Sequence, residues 1–247
     1  MFKIELYDNS IIKSAFAGVK HIVDEIKIKI DHDGVYCDAL DTSHISFVHL
    51  ELKETLFDEY EVEEPTSLIV DSEEFMKVLS RCKSTDILTL EADTSNLILT
   101  YEGDSTRQFR IKLIDTEYET PTPPNVKQTF TCEISTNIFK DTLSDVEVFS
   151  EKLHLKHEDG NEYLYLSGDD NFGATNIKYL LEEGEYEGDV NSVYSLDKLK
   201  DFMKSEKFSK HIRLKSGETL PLTLEFILPL EEGVLSYLLA PVIEQDE

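Results

Sequence analysis

Three residues within four positions have the types that nucleophilic catalysis uses: Asp41, Ser43 and His44, in the segment DTSH. A serine nucleophile needs a histidine base against its hydroxyl group and a carboxylate that orients that histidine. Residues this close along one strand or turn cannot take up that geometry. We therefore do not expect the segment to form a catalytic triad.

Histidines and cysteines could instead hold a metal ion. His154 and His157 are three residues apart in LHLKH, so a β-strand would turn them to opposite faces. Cys37, Cys82 and Cys132 are widely scattered and have neither a CxxC zinc spacing nor the pattern of a disulfide framework. The sequence also lacks a Walker loop, GxGxxG and HExxH. We expect no cofactor, no enzyme activity, and three buried thiols in a reducing compartment.

Charge is the other chemical feature of the sequence. With 24 Lys and Arg against 51 Asp and Glu, the net charge of −27 should repel nucleic acid. Four segments with helical spacing of apolar residues, 10–23, 72–83, 136–146 and 196–210, nevertheless hold 11 cations against 7 carboxylates. The other 195 residues hold 13 against 44. The positive charge is therefore concentrated on the predicted helices.

Helical wheels place several of these cations away from the apolar faces. In the first segment Ile12, Phe16, Val19 and Val23 form the apolar face, and no carboxylate lies on the other side. Lysines without aromatic or amide neighbours suit contact with the phosphate backbone, which carries no sequence information. An ordinary solvated helix face is the alternative. The candidate DNA contacts are Lys13, Lys20, Lys77, Arg81, Lys140, Lys200, Lys204 and Lys207.

Short alternating β segments separated by turn residues make up most of the remaining sequence. Residues 115–128, DTEYETPTPPNVKQ, contain three prolines within four positions and predict an extended linker. The two halves resemble each other at an offset of about 126 residues. The matching pairs are FKIELYDNSIIK (2–13) with FTCEISTNIFK (130–140), IKIDHDG (28–34) with LHLKHEDG (153–160), and VDSEEFMKVL (70–79) with SLDKLKDFMK (195–204).

We therefore predict an α+β fold with two similar domains, each with two helices packed on an antiparallel sheet. The predicted domains are residues 1–115 and 129–247, joined by a connector over residues 116–128. The sequence lacks an apolar run of the roughly 18 residues that a membrane span needs, and MFKIELYDNS does not match a signal peptide. We expect a soluble, cytosolic protein without a membrane partner.

Several segments, in this order and spacing, resemble one family over essentially the whole chain. The most specific segments are DALDTSHISFVHLEL (38–52), the opening MFKIEL with SIIK and Lys20, and YLLAPVIE (237–244); DSEEFMKVLSRCKSTDILTL (71–90), KLID (112–115) and NIKYL (176–180) also match. The sequence resembles the archaeal and eukaryotic sliding clamps, the family of proliferating cell nuclear antigen. The YETPTPP linker and short acidic tail are similar to those of archaeal members.

This resemblance implies a DNA clamp fold and a non-enzymatic processivity factor. Three subunits would form a ring around duplex DNA, with the helices lining the hole and the acidic surface outside. Segment 107–114 of one subunit would pair with segment 172–181 of the next, and Phe109, Ile111 and Ile177 would lie in that interface. The alternative is that these three residues belong to the core of their own domain. We expect a homotrimer, and a ring that mixes paralogues is the alternative that the resemblance leaves open.

The resemblance also implies a pocket for short partner peptides. These peptides would be carried by DNA polymerase, the clamp loader, flap endonuclease and DNA ligase. The protein would then act in DNA replication and repair at the archaeal nucleoid. The residues of the pocket would be Leu40, His44, Ile45, Pro121, Pro123, Pro221, Leu238, Ala240, Pro241 and Ile243. Val242 and Leu238 depart from the family, which usually has a basic residue at the first position and often an aromatic one at the second. The alternative function is an acidic binding module, either a DNA mimic or a chaperone-like protein.

Overall fold

The structure, a computed structural model, describes residues 1–116, 120–122, 124–181 and 188–243. The chain divides into two compact units: residues 1–123 with 227–235, and residues 124–226 with 236–247. None of the helices in the described ranges has the length and apolar character needed to cross a bilayer. Each unit contains a helix pair and antiparallel strands, and the units are described separately below.

The first unit begins with a strand that leads directly into a helix. Its α-helices are α1 (Ser10–Val19) and α2 (Ser72–Leu79). Its strands are β1 (Phe2–Leu6), β2 (Glu25–Ile30), β3 (Gly34–Leu40), β4 (Ser46–Lys53), β5 (Glu59–Val62), β6 (Thr66–Asp71), β7 (Ile87–Ala92), β8 (Asn96–Glu102) and β9 (Arg107–Lys112). Short 3₁₀ helices cover Glu54–Leu56 and Pro229–Glu231.

Two antiparallel arrangements of strands support the helices of the first unit. In one, the strand order is β5-β1-β7-β8-β9; in the other, β4, β3, β2 and β6 are neighbours in that order. The strands alternate buried and partly exposed residues, as FKIEL in β1 does. Helices α1 and α2 bury their apolar faces, and the rings of Phe16 and Phe75 meet edge to face with centroids 5.0 Å apart.

The second unit repeats the strand-then-helix opening. Its helices are α3 (Thr136–Val146) and α4 (Leu196–Phe202), and a 3₁₀ helix at Met203–Phe208 continues directly from α4. The remaining strands of the chain are β10 (Phe130–Ser135), β11 (Lys152–His157), β12 (Tyr163–Asp169), β13 (Ala174–Leu180), β14 (Val190–Ser195), β15 (His211–Ser216), β16 (Leu222–Ile227) and β17 (Gly233–Leu239).

Antiparallel pairing again supports the helices of the second unit. Strands β13, β12, β11 and β14 are neighbours in that order, and β10 pairs with β15, which pairs with β16. Phe139 and Leu143 of α3 and Leu199 and Phe202 of α4 are buried. The ring of Phe202 stacks on Tyr237 with a centroid distance of 4.5 Å. These residues form an apolar core under the helices.

The segments of the predicted repeat form matching elements in the two units. Strand β1 with α1 matches β10 with α3, the turn after β2 matches the turn after β11, and β6 with α2 matches β14 with α4. The helix predicted over 136–146 is confirmed. The helix predicted over 10–23 is shorter and ends at Val19, because the N–H groups of His21 and Ile22 bond three residues back instead of four. As a result Ile22 is buried where Val23 was expected.

The other two helix predictions also extend too far. Helix α2 ends at Leu79 instead of Lys83, and α4 gives way to the 3₁₀ helix after Phe202. In both cases the buried residues continue beyond the α-helix, at Cys82 and Phe208. Apolar spacing therefore marked the buried face correctly but did not mark the helix end.

Candidate nucleic-acid interface

The first helix pair, α1 with α2, holds four of the predicted DNA contacts. Lys13 donates from Nζ to the backbone carbonyl of Cys82, so its charge has no carboxylate partner in that bond. Lys20 is exposed just after α1, and Arg81 is exposed just after α2. Among the described residues, the side chains of Lys20 and Arg81 make neither an ion pair nor a hydrogen bond.

Lys77 is the exception on the first pair. Its Nζ lies 3.1 Å from the Glu74 carboxylate, one turn earlier on α2. The hydrogen bond to Glu74 raises the pKa of Lys77 above its ordinary value, so the ammonium group stays charged. Both side chains are more than half exposed, so solvent screens the pair and it contributes little to stability.

The second helix pair, α3 with α4 and its 3₁₀ extension, holds the other four predicted contacts. Three of these lysines face carboxylates. Lys140 lies 2.6 Å from Glu206, Lys204 lies 2.7 Å from Asp201, and Lys200 forms an ion pair with Glu147. Lys207 is exposed, and its side chain has no ion-pair or hydrogen-bond partner among the described residues.

The two pairs therefore differ in how their positive charge is presented. Three carboxylates of this surface were not predicted from the sequence: Glu147, Asp201 and Glu206. The spacing of three between Asp201 and Lys204 on consecutive helical turns could have revealed one of these contacts. The contacts of Glu147 and Glu206 join residues far apart in the sequence, and local spacing carries no signal for them.

Strand β9 carries the predicted interface residues Phe109 and Ile111 and lies at the edge of its sheet as far as the described residues extend. Phe109 is half-buried and Ile111 is buried within its own unit. Strand β13, which carries Ile177, is likewise an edge strand of the described part of the second unit. Ile177 is half-buried. Edge strands present unpaired backbone groups that can accept another strand.

A buried ion pair fixes the start of β9. The Arg107 guanidinium bonds to the carboxylate of Asp86, which is 2% exposed, and to the backbone carbonyl of Arg81 at 3.0 Å. The same carboxylate accepts the backbone N–H of Lys83 at 2.6 Å. These bonds tie the edge strand to the loop after α2. This network was not predicted from the sequence, because Arg107 and Asp86 lie on separate segments.

The DTSH segment forms a tight loop between β3 and β4. The buried Asp41 carboxylate accepts the N–H groups of Ile45 and Ser46, each at 2.9 Å, and the Ser43 hydroxyl at 2.7 Å. His44 is exposed and has φ = 59°, a left-handed conformation that such a tight loop requires. Ser43 therefore bonds to the aspartate and not to a histidine base, which is not the arrangement of a catalytic triad.

The predicted peptide-pocket residues are distributed over both units. In the first unit, Leu40 and Pro121 are half-buried, and His44 and Ile45 are exposed. Pro123 lies outside the described residues. In the second unit, Ile243 is 85% exposed. The other predicted pocket residues of this unit are half-buried: Pro221, Leu238, Ala240 and Pro241.

Known proteins similar to this chain are DNA sliding clamps. A family model described as "Proliferating cell nuclear antigen, N-terminal domain" matches residues 1–120. A DNA polymerase sliding clamp from Methanobrevibacter smithii is 43% identical over 247 residues, 100% of each chain. The protein of the same name from Methanothermobacter thermautotrophicus is 42% identical with the same coverage.

Solved structures agree with the sequence matches. A chain of the PCNA2–PCNA3 complex from Sulfolobus tokodaii is 27% identical with a TM-score of 0.89, covering 98% of this chain and 100% of that chain. PCNA from Thermococcus kodakaraensis, at 23% identity and a TM-score of 0.90 with the same coverage, has the same fold. The predicted α+β clamp fold is confirmed. This chain belongs to the family of archaeal DNA polymerase sliding clamps.

Proposed function

We propose that this chain is a ring-forming sliding clamp that encircles duplex DNA and tethers DNA polymerase to it. The observation that carries the proposal is the concentration of cations on two helix pairs in a chain of net charge −27. Membership of the clamp family supports it. An acidic outer surface would repel DNA, whereas lysines and arginines on helices that line a channel would attract its phosphates.

The mechanism is topological and involves no catalysis. Contacts to phosphates are non-specific and weaken with salt, so by themselves they would not hold a polymerase at one site. A closed ring converts this weak attraction into retention, since the clamp can slide but cannot dissociate sideways. An enzyme bound to the ring then stays at high effective concentration near the DNA.

Ring closure would use the two edge strands. Strand β9 of one subunit would pair with β13 of the next, bringing Phe109 and Ile111 against Ile177. A head-to-tail contact of this kind joins different surfaces of identical chains and closes when the rotation between copies completes a circle. Phe172, which is 92% exposed in the turn before β13, supports a contact at this edge.

Partner enzymes would dock through short peptides. The apolar residues of the predicted pocket, together with His44 on its rim, suit an extended peptide with apolar and aromatic side chains. DNA polymerase, the clamp loader, flap endonuclease and DNA ligase are the proposed partners, in the cytoplasm of an archaeal cell at its nucleoid.

Light scattering and DNA retention test this function together. A solution mass near three times 28.3 kDa is expected, and Ile177→Arg should lower the mass to that of one chain. Asn176→Arg is the matched control, because Asn176 is exposed on the opposite face of β13. The trimer, loaded by its clamp loader, should stay on nicked circular duplex and leave the same DNA once it is linearised.

Two results would contradict the proposal. A monomer at all salt concentrations would refute the homotrimer and direct the search to a paralogous partner. Equal loss from circular and linear DNA would refute encirclement and favour the acidic binding module.

A further inference from the structure

Most of the predicted DNA-contacting lysines of the second helix pair form ion pairs with carboxylates. Glu206 reaches from the 3₁₀ helix to Lys140 on α3, and Glu147, at the end of α3, reaches Lys200 on α4. These two contacts cross between the elements of the pair. Each of the three paired lysines thus carries its neutralising charge with it on the helices.

Two of the three carboxylates are less exposed than the lysines that they pair with. The side chains of Glu206 and Asp201 are 23% and 29% exposed, against 48% for Lys140 and 45% for Lys204. At the third pair the order is reversed, since Glu147 is 49% exposed and Lys200 is 37% exposed. Glu206 and Asp201 are therefore the more buried members of their pairs, and Glu147 is the more exposed member of its pair.

The negative charge of Glu147 does not stabilise helix α3. It is the C-cap residue of α3, where the helix dipole disfavours a negative charge. The last turn of α3 also contains no basic residue. The carboxylate of Glu147 is therefore explained by its contact with Lys200 and not by capping.

Paired and unpaired cations act differently on a phosphate. The field of an ion pair falls off faster than that of a single charge, and salt screens both beyond about 8 Å at physiological ionic strength. Lys13, Lys20 and Arg81 on the first pair act as single charges. On the second pair, a phosphate must compete with a carboxylate already in place at Lys140, Lys200 and Lys204.

We propose that Glu147, Asp201 and Glu206 are attenuating residues that weaken the attraction of the second helix pair for the DNA backbone. The inference rests on the proposed clamp function and assigns different roles in DNA binding to the two helix pairs. The first helix pair supplies most of the attraction to phosphates. The second pair presents a nearly neutral surface past which the backbone moves with little resistance.

A triple variant of the full chain tests this proposal. Glu147→Gln, Asp201→Asn and Glu206→Gln remove three charges while keeping side-chain shape and hydrogen-bonding capacity. The matched control removes three charges from ion pairs on or beside strands, at Glu59, Glu133 and Glu158, each changed to Gln. Their partners are Lys3 at 2.7 Å, Arg213 at 3.0 Å and Lys156 at 2.9 Å. Both variants have the same net charge.

The measurement is the affinity for a short fluorescent duplex as a function of salt concentration. Each freed lysine that reaches a phosphate should steepen the slope of log K against log salt by about 0.9, and three should raise affinity roughly tenfold at moderate salt. The strand control should change affinity less than about twofold, because its charges lie on or beside strands and not on the helices proposed to face the DNA. On circular DNA, the helix variant should also diffuse more slowly than the wild type.

Equal effects of the two triple variants would overturn the proposal, since net charge alone would then account for them. An unchanged salt slope in the helix variant would overturn it as well. Both outcomes are separate from failure of the clamp function, because retention of the wild type on circular but not linear DNA does not depend on these variants.

Discussion

The first and second helix pairs bury similar apolar faces but carry different polar ones. Phe16 and Phe75 pack between α1 and α2, and Phe139 and Phe202 fill the corresponding layer under α3 and α4. On the polar side, carboxylates pair with one of the four predicted DNA contacts in the first unit and with three of the four in the second.

This difference separates what the fold requires from what it permits. Packing requires an apolar face on each helix because the sheet must be covered. The opposite face meets no such requirement, and its charges can change with little effect on stability. The duplicated halves therefore keep one core pattern while their solvent faces differ.

The largest expected effects are losses of stability when a core phenylalanine is removed, and they should be equal in the two helix pairs. Phe16→Ala and Phe139→Ala each remove a ring that is at most 2% exposed, and each should lower the free energy of unfolding by about 3–5 kcal/mol. Urea denaturation at one fixed protein concentration measures this. Ile138→Ala, at a position 47% exposed on α3, is the control and should cost less than about 0.5 kcal/mol. A cost near that of the control for either phenylalanine would show that the two cores are not equivalent.

Binding to DNA should distinguish the two pairs. Replacing both Lys20 and Arg81 by alanine removes two unpaired cations, and should reduce the salt slope by about 1.8 and the affinity for duplex roughly tenfold. Replacing Lys140 and Lys204 removes the same charge but only paired cations, so the loss should stay under about threefold. Fluorescence anisotropy across a salt series measures both. Equal losses would contradict the difference between the helix pairs.

The smallest expected difference concerns helix capping. The Asp71 carboxylate accepts the N–H of Glu74 at 2.8 Å at the start of α2, whereas Ser195 at the start of α4 makes no side-chain capping bond. Asp71→Ala should therefore cost about 1 kcal/mol of unfolding free energy and Ser195→Ala less than about 0.5 kcal/mol. Thermal unfolding of the two variants under identical conditions makes the comparison. A larger cost for Ser195→Ala would reverse this assignment.

The apolar period of the sequence predicted the helices well because burial of one face is a local, repeating demand. The start of α2 also follows a local pattern, since Asp71 is followed by Glu73 and Glu74 in the first turn of the helix. The helix ends were less accurate. At Leu79 the chain changes to three-residue backbone bonds without a glycine or proline nearby, so the sequence there carries no local signal of the helix end. At Val19, by contrast, Gly18 in the last turn of α1 was a local signal that the predicted helix did not use.

The sequence by itself determined the duplicated α+β architecture, the buried helix faces and the concentration of cations on four segments. These properties follow from the order and period of residue types, which act over a few neighbours. Only the tertiary structure decided that Glu206 lies against Lys140, that Glu147 lies against Lys200, and that Asp86 anchors Arg107. Such contacts depend on how distant segments pack, and an electrostatic pair forms only where packing brings its two charges within a few ångströms.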